Sequence, residues 1–394
     1  MKYFFVLGTN TALSVAELAA VLDLKKINLL APDFLLWETE IELNPETLIF
    51  RLGGVIKIGV IREEVAAGDN EKLLKTIYDL ASVKKYQSQE GKFNFGFSDY
   101  GKTQFNKKDL GLKLKKYFKE KKISSRLVIS QEKTLSSVVV TQNKLITRGI
   151  EFVLAKEGNK ILIGETLAVQ PFKDLSRRDF GRPARDDFSG MLPPKLAQIM
   201  INLAQVQNPE ALIIDPFCGS GTILSEALLM GYKDLLGSDI SPKAIADTYK
   251  NISWIKDLYK IKDAKVKVVV KNVTDLSKFI KAESVEAVIC EPFLGPQRGL
   301  INFKVVISNL EELYSQAIQE FRAILKPGSR VVMIWPLFYG QKSISPKYDG
   351  FKMLNMIPKS LQTSEYLKKH NRETIVYGRP GQKVYREIVV LEKD

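Results

Sequence analysis

The sequence predicts an α/β protein whose C-terminal half is a doubly wound, largely parallel sheet, preceded by an α+β half of different character. Two observations predict this class. From Lys195 onward, short apolar runs alternate with helical stretches, which is the rhythm of parallel βαβ units. One run ends at Asp215 and passes through a glycine-bearing loop straight into a helix, as at the carboxyl edge of an open α/β sheet. A third observation separates the halves: residues 171–190, PFKDLSRRDFGRPARDDFSG, mix prolines, glycines and alternating charges without periodicity and read as a linker.

The first block opens with an apolar strand, Lys2–Leu7. A helix follows, its start read as a capping box, Ser14-Val15-Ala16-Glu17, in which the serine satisfies an orphan amide and the glutamate reaches back. Phe34–Ile41 is a further strand and completes an α+β block over residues 1–50. The second block, residues 51–170, has strands at Val55–Ile61, Lys92–Phe97 and Arg126–Gln131, with helices at Glu71–Lys85 and Lys108–Lys122. Glu151–Lys156 and Lys160–Thr166 form a hairpin turned by Glu157-Gly158-Asn159. Beyond the linker come the strands Ala211–Asp215, Leu235–Ile240, Val266–Lys271, Ala287–Cys290 and Arg330–Trp335. Val384–Leu391 is expected to add a strand at the sheet edge.

A length of 394 residues exceeds one comfortable core and fits two or three domains. Hydrophobic residues at 45% and charged residues at 26% are ordinary for a soluble globular chain. No run approaches the roughly 18 apolar residues of a membrane span. The apolar start, Tyr3–Leu7, lacks a small-residue cleavage site, so no signal peptide is expected. Cys218 and Cys290 make no disulfide framework and suit a reducing cytoplasm. His370 is the lone histidine, which argues against zinc and against histidine acid/base chemistry, and no metal is expected. A net charge of +14 points to a polyanion partner, with a lysine-rich background as the plainer alternative.

The most informative stretch is Asp215-Pro216-Phe217-Cys218-Gly219-Ser220-Gly221-Thr222. Gly219 and Gly221 let backbone approach a ligand closely, because no Cβ intrudes. The Asp215 carboxylate suits an ammonium group such as the methionine amine of S-adenosyl-L-methionine. A dinucleotide fingerprint would need glycine where Leu224 stands, and no Gly-Lys-Ser/Thr closes a phosphate loop. Asp239 ends the second strand, where an acidic group accepts both hydroxyls of a ribose and Ile240 packs on adenine; the alternative is a helix N-cap. Asp275 follows the third strand and suits the adenine amine, or else is a solvated loop carboxylate.

The fourth strand runs into Cys290-Glu291-Pro292-Phe293-Leu294-Gly295. A carboxylate, a proline and an aromatic at a strand's carboxyl edge have a logic for amine methylation. The lone pair of an exocyclic base amine is delocalised into the ring; a carboxylate and a backbone carbonyl that accept its hydrogens pyramidalise the nitrogen, and the aromatic stacks on a flipped-out base. The cysteines beside this site allow a pyrimidine C5 mechanism, against the plainer reading of small buried residues. Lys107, Lys108, Lys113, Lys115, Lys116, Lys119, Lys121, Lys122 and Arg126 face only Asp109 and Glu120 in sequence. They form a solvated helix face or a set of phosphate contacts, and the linker arginines Arg177, Arg178, Arg182 and Arg185 are candidates for the same role.

Together these features resemble the tRNA guanine-N2 methyltransferases, and most of all those that modify guanosine 10. The residues that carry the resemblance are Tyr3–Gly8 with Leu13, Ser14 and Glu17; Leu52–Gly59; Arg178-Asp179 and Arg182-Pro183; Gly190–Ala197; Asp215–Thr222; Gly237–Ile240; and Gly378–Ile388. The resemblance implies a ferredoxin-like region at 1–50, a THUMP RNA-binding domain at 51–170, a linker at 171–190 and a Rossmann-like class I methyltransferase domain at 191–394. S-adenosyl-L-methionine would sit on Asp215, Phe217, Gly219, Gly221, Thr222, Asp239, Ile240 and Asp275. A tRNA would be gripped by Lys113, Lys115, Lys116, Lys119, Lys122, Arg126, Arg178 and Arg182, and Glu291, Pro292 and Phe293 would be catalytic. A cytoplasmic monomer is expected, and a small activating subunit, which some relatives need, stays open. The family usually carries Asp-Pro-Pro-Tyr before a glycine; an ungapped match puts Glu291, Pro292, Phe293 and Leu294 there, followed by Gly295. Two rivals remain: methylation of another exocyclic amine (adenine N6 or cytosine N4) in RNA or DNA, and an RNA-binding protein without catalysis.

Overall fold

The computed structural model describes residues 1–87, 91–101, 103, 105–185, 191–296, 302–368, 370, 372 and 374–394. Among them the N-terminal half is built on one sheet. Its strands are β1 (Lys2–Leu7), β2 (Ile27–Ala31), β3 (Phe34–Glu38), β4 (Val55–Ala66), β5 (Phe93–Tyr100), β6 (Ser125–Val128), β7 (Gly149–Glu157) and β8 (Lys160–Val169). They lie in the order β2-β3-β1-β4-β8-β7-β5-β6. β4 pairs with β1 on one side and β8 on the other, so hydrogen bonding is continuous across residue 50. β5 and β6 are parallel, which requires a crossover, and the helix Lys107–Glu120 supplies it. That helix buries Leu110, Leu114 and Phe118 and turns Lys108, Lys113, Lys115, Lys116 and Lys119 outward.

The C-terminal sheet comprises β9 (Leu212–Asp215), β10 (Asp234–Asp239), β11 (Lys265–Val270), β12 (Val285–Cys290), β13 (Leu325–Phe338), β14 (Lys342–Ser343), β15 (Phe351–Met353), β16 (Ile375–Tyr377) and β17 (Val384–Lys393). Its order is β11-β10-β9-β12-β13-β17-β15, with β14 on β13 and β16 on β17. β9 to β13 are parallel, and the apolar, buried runs of β9, β12 and Val331–Phe338 of β13 fit strands covered on both faces. β17 is not the edge strand expected from sequence. It runs antiparallel between β13 and β15, and its consecutive buried residues Ile388, Val389, Val390 and Leu391 mark an interior strand covered on both faces. Strand order reverses at β9 and β12, which opens a crevice at their carboxyl ends.

The capping-box reading is also corrected. The helix Thr11–Val21 is capped by Asn10, whose side chain accepts from the Leu13 amide. Ser14 Oγ donates to the Asn10 and Gly54 carbonyls, and the buried Glu17 carboxylate accepts from the amides of Gly53 (2.8 Å) and Gly54 (2.7 Å) and from Asn202 Nδ2 (2.8 Å). Glu17 thereby ties the first helix to the helix Pro194–Leu203 of the other half. Contact there is tight: a Cβ on Gly53 would lie 2.0 Å from the Lys195 carbonyl oxygen. Residues of both halves, among them Phe5, Trp37, Leu196, Met200 and Ile213, share one apolar core. The stretch read as a linker carries a helix, Phe172–Phe180; residues 186–190 lie outside the described residues.

Candidate functional site

A cavity of about 770 Å³ opens at the carboxyl ends of β9, β10 and β12. Asp215, the last residue of β9, lines it while only 1% exposed. Its Oδ1 accepts from the Phe217 amide at 3.2 Å, and no cation among the described residues pairs with it. Burial pushes the Asp215 carboxyl well above the usual carboxylate range, and the charges of Asp239 and Glu291 push it the same way. A carboxylate in that state is stabilised by a positively charged ligand group.

The loop after Asp215 is pinned from several sides. Asp239, ending β10, accepts from the Gly219 amide (3.1 Å) and the Ser241 amide (2.9 Å). It is not the cap of the next helix; Ser241 caps Pro242–Tyr259. Thr248 Oγ1 donates to the Gly219 carbonyl, and Asn251 to that of Ser220. Gly221 caps the helix Thr222–Leu229 at φ +81, a conformation that glycine adopts without strain, and a Cβ there would meet the Thr248 methyl at 2.8 Å. Phe217, Gly219, Thr222, Asp239 and Ile240 all line the cavity. Ile240 is 71% exposed at its rim, an apolar surface that a flat ring would cover.

Glu291, Pro292 and Phe293 line the same cavity, opposite the loop. Phe293 is 62% exposed, and its carbonyl accepts from the buried Tyr314 hydroxyl at 2.9 Å. Glu291 Oε1 accepts from Arg386 Nε of β17 at 2.5 Å. Burial raises the Glu291 carboxyl and Arg386 opposes the rise. Sequence reading missed Arg386 as a site residue, although the Gly378–Ile388 stretch contains it. It also missed Asn272 and Val273, which line the cavity directly after β11. Their signal was their place: the first residues beyond a parallel strand sit at the crevice.

Four expected site residues are elsewhere; Gly221, the first, turns the loop against Thr248 and does not line the cavity. Asp275 lies on the 3-10 helix Val273–Lys278, partly exposed and paired with Lys278 (2.6 Å), which holds its carboxyl below the usual range; it does not line the cavity. Arg178 and Arg182 do not face solvent, as phosphate contacts would have to. Arg178 is 6% exposed and grips Glu226 through two bonds (2.8 and 3.0 Å) with Asp174 alongside. Arg182, 7% exposed, donates to Thr222 Oγ1 at 2.6 Å and to the Arg178 carbonyl. Lys113, Lys115, Lys116, Lys119, Lys122 and Arg126 are all exposed, and Lys113 pairs with Asp109. Cys218 and Cys290 are buried, and desolvation pushes both thiols up, which disfavours the thiolate that a C5 mechanism needs. No helix of the described residues is long and apolar enough to cross a membrane.

Residues 182–338 match the family model described as RMKL-like methyltransferase domain, and residues 69–250 match one described as DNA methylase. The tRNA (guanine(10)-N2)-dimethyltransferase of Pyrococcus abyssi is 27% identical over 214 residues, 52% of this chain and 57% of that one. The protein of the same name from Methanothermobacter thermautotrophicus is 31% identical over 174 residues, 43% of this chain and 47% of that one. The chain thus spans about half the length of these curated relatives. Among solved structures, TrmN from Thermus thermophilus aligns over 100% of both chains with a TM-score of 0.56 and 17% identity, a likeness of fold. By topology and by these matches, residues 182–338 are similar to a methyltransferase domain of the RMKL-like kind.

Proposed function

We propose that the protein methylates the exocyclic N2 of a guanosine in tRNA, position 10 being favoured, with S-adenosyl-L-methionine as donor. One observation carries the reading: a buried carboxylate with no cation of its own, Asp215, shares a cavity with Glu291, Pro292 and Phe293. The residues fit the donor. Asp215 suits its methionine ammonium, Asp239 its ribose hydroxyls, and Ile240 with Val273 the faces of its adenine. When bound, the donor supplies a methyl group on a positively charged sulfur. Pro292 and Phe293 bound the space for a flipped-out base. Glu291 would accept a hydrogen of the amine and turn the nitrogen lone pair toward the donor's methyl carbon, and Glu291 or water would take the proton that the amine gives up as the methyl replaces it. Holding the two reactants in line accounts for much of the acceleration.

The N-terminal half suits the RNA. In this reading residues 1–50 form the ferredoxin-like region and 51–170 the THUMP domain, with the exposed lysines of Lys107–Glu120 and Arg126 on the phosphate backbone. The names of the Pyrococcus and Methanothermobacter relatives favour guanine N2 of tRNA. The DNA-methylase match over residues 69–250 favours the second reading, another exocyclic amine. A cytoplasmic setting fits the two free thiols.

The test is transfer of labelled methyl from S-adenosyl-L-methionine to tRNA, followed by mass spectrometry of the nucleosides. N2-methylguanosine or its dimethyl form is expected, and Glu291→Ala should stop transfer while leaving donor affinity intact. Label in N6-methyladenosine or N4-methylcytidine would overturn the target, and tRNA binding without transfer would overturn the enzyme.

A further inference from the structure

We propose that Arg386 is a positioning residue of the transfer site, holding Glu291 through Oε1 so that the other carboxylate oxygen faces the amine that receives the methyl group. The inference rests on the reading of the cavity as an amine methyltransferase site. β12 delivers Glu291, and β17 delivers Arg386 from beyond β13. Arg386 stands opposite Pro336 of β13, so its side chain crosses that strand to reach the carboxylate at 2.5 Å. Both side chains are largely buried, at 15% and 14% exposure, and both line the cavity. No other donor among the described residues engages Glu291, which leaves Oε2 to a ligand.

The pair solves a physical problem at this position. The titratable groups that face Glu291 are Asp215 of β9, Cys290 of its own strand, Tyr314 of the helix Phe303–Ile324 and Arg386 of β17. The first three bring no positive charge, and burial favours the neutral carboxylic acid. A neutral acid would offer a proton to the amine instead of accepting one. Arg386 opposes that protonation. It also fixes a side chain one methylene longer than the aspartate expected from the resemblance, which restrains a rotor that would otherwise swing in the cavity. Its planar guanidinium suits the task better than a flexible ammonium.

The experiment uses the full chain with Arg386→Met, Arg386→Lys, Glu291→Gln and the Arg386→Met/Glu291→Gln double variant. Single-turnover transfer to tRNA is followed across pH alongside calorimetric donor affinity. In Arg386→Met the acidic limb should move up by at least about one pH unit, so transfer falls roughly tenfold near neutral pH and recovers in alkali. Arg386→Lys should restore most of it, and donor affinity should stay at the wild-type value. An unchanged pH profile in Arg386→Met would overturn the inference while the function stands. A second readout does not depend on transfer: Arg386→Met should lower Tm at pH 8, and adding Glu291→Gln should recover it. If wild type transfers nothing, the proposed function fails, and this cycle still decides the pairing; additive effects of the two substitutions would overturn it.

Discussion

Two buried carboxylates flank the loop that follows β9 and the helix it starts. Asp215 stands in front, on the cavity, and Glu226 stands behind, under the helix Phe172–Phe180. Burial raises both carboxyls. Behind, the chain completes the charge itself, with Arg178 gripping both oxygens of Glu226. In front it does not: Asp215 has one backbone amide and two acidic neighbours. The difference teaches where to look for a ligand. A buried charge that the fold has satisfied holds structure, and one it has left incomplete marks the place of a partner from outside.

Breaking the rear pair should have the largest effect. Arg178→Ala leaves Glu226 buried without its cation and should destabilise by about 3–5 kcal/mol, read by chemical denaturation. A loss below about 1 kcal/mol would put Arg178 with surface residues and dissolve the contrast. Asp215→Asn should go the opposite way and raise the Tm of the ligand-free protein at pH 8, by about 1 kcal/mol in stability. The sign follows from linkage. The folded Asp215 carboxyl is raised, so between the unfolded and folded values the native state binds more protons, and stability falls as pH rises through that window. The gap between variant and wild type should therefore shrink on acidification; a gap that widens would mean that Asp215 is not a strained anion.

Glu17 sharpens the comparison from a third position, satisfied by amides instead of a cation. Burial lifts its carboxyl from 4.5 to about 7. Its contribution is full below the unfolded value and declines as pH rises through about 7, so the docking of the two halves should loosen in that window. Wild-type Tm should fall between pH 5 and 8, and Glu17→Gln should flatten the fall. The smallest effect belongs to the exposed lysines. Lys116→Ala should leave Tm unchanged, weaken tRNA binding slightly and reduce the salt slope by about one. An unaltered slope would remove Lys116 from the proposed RNA-binding face.

Much of this was legible in the chain. The parallel alternation after Lys195 and the strand–loop–helix at Asp215 are local patterns, and local patterns survive folding. What failed were statements about which side of an element a charge would face. Arg178 and Arg182 read as surface arginines because alternating charge carries no mark of burial; Glu226 and Thr222, far along the chain, decide it. Glu17 read as a capping partner, but the amides of Gly53 and Gly54 compete for the same carboxylate. Asp275 was placed by counting from its strand, and the 3-10 turn aims it at Lys278 instead. Arg386 was invisible as a site residue because only the insertion of β17 beside β13 brings it to Glu291.

The central claim is that the front carboxylate holds the cationic end of the methyl donor. Calorimetric titration of S-adenosyl-L-methionine into wild type and Asp215→Asn, near neutral pH, tests it most directly. Wild type should bind, and the variant should lose at least about 100-fold in affinity while remaining folded. Equal affinities in the two proteins would contradict it.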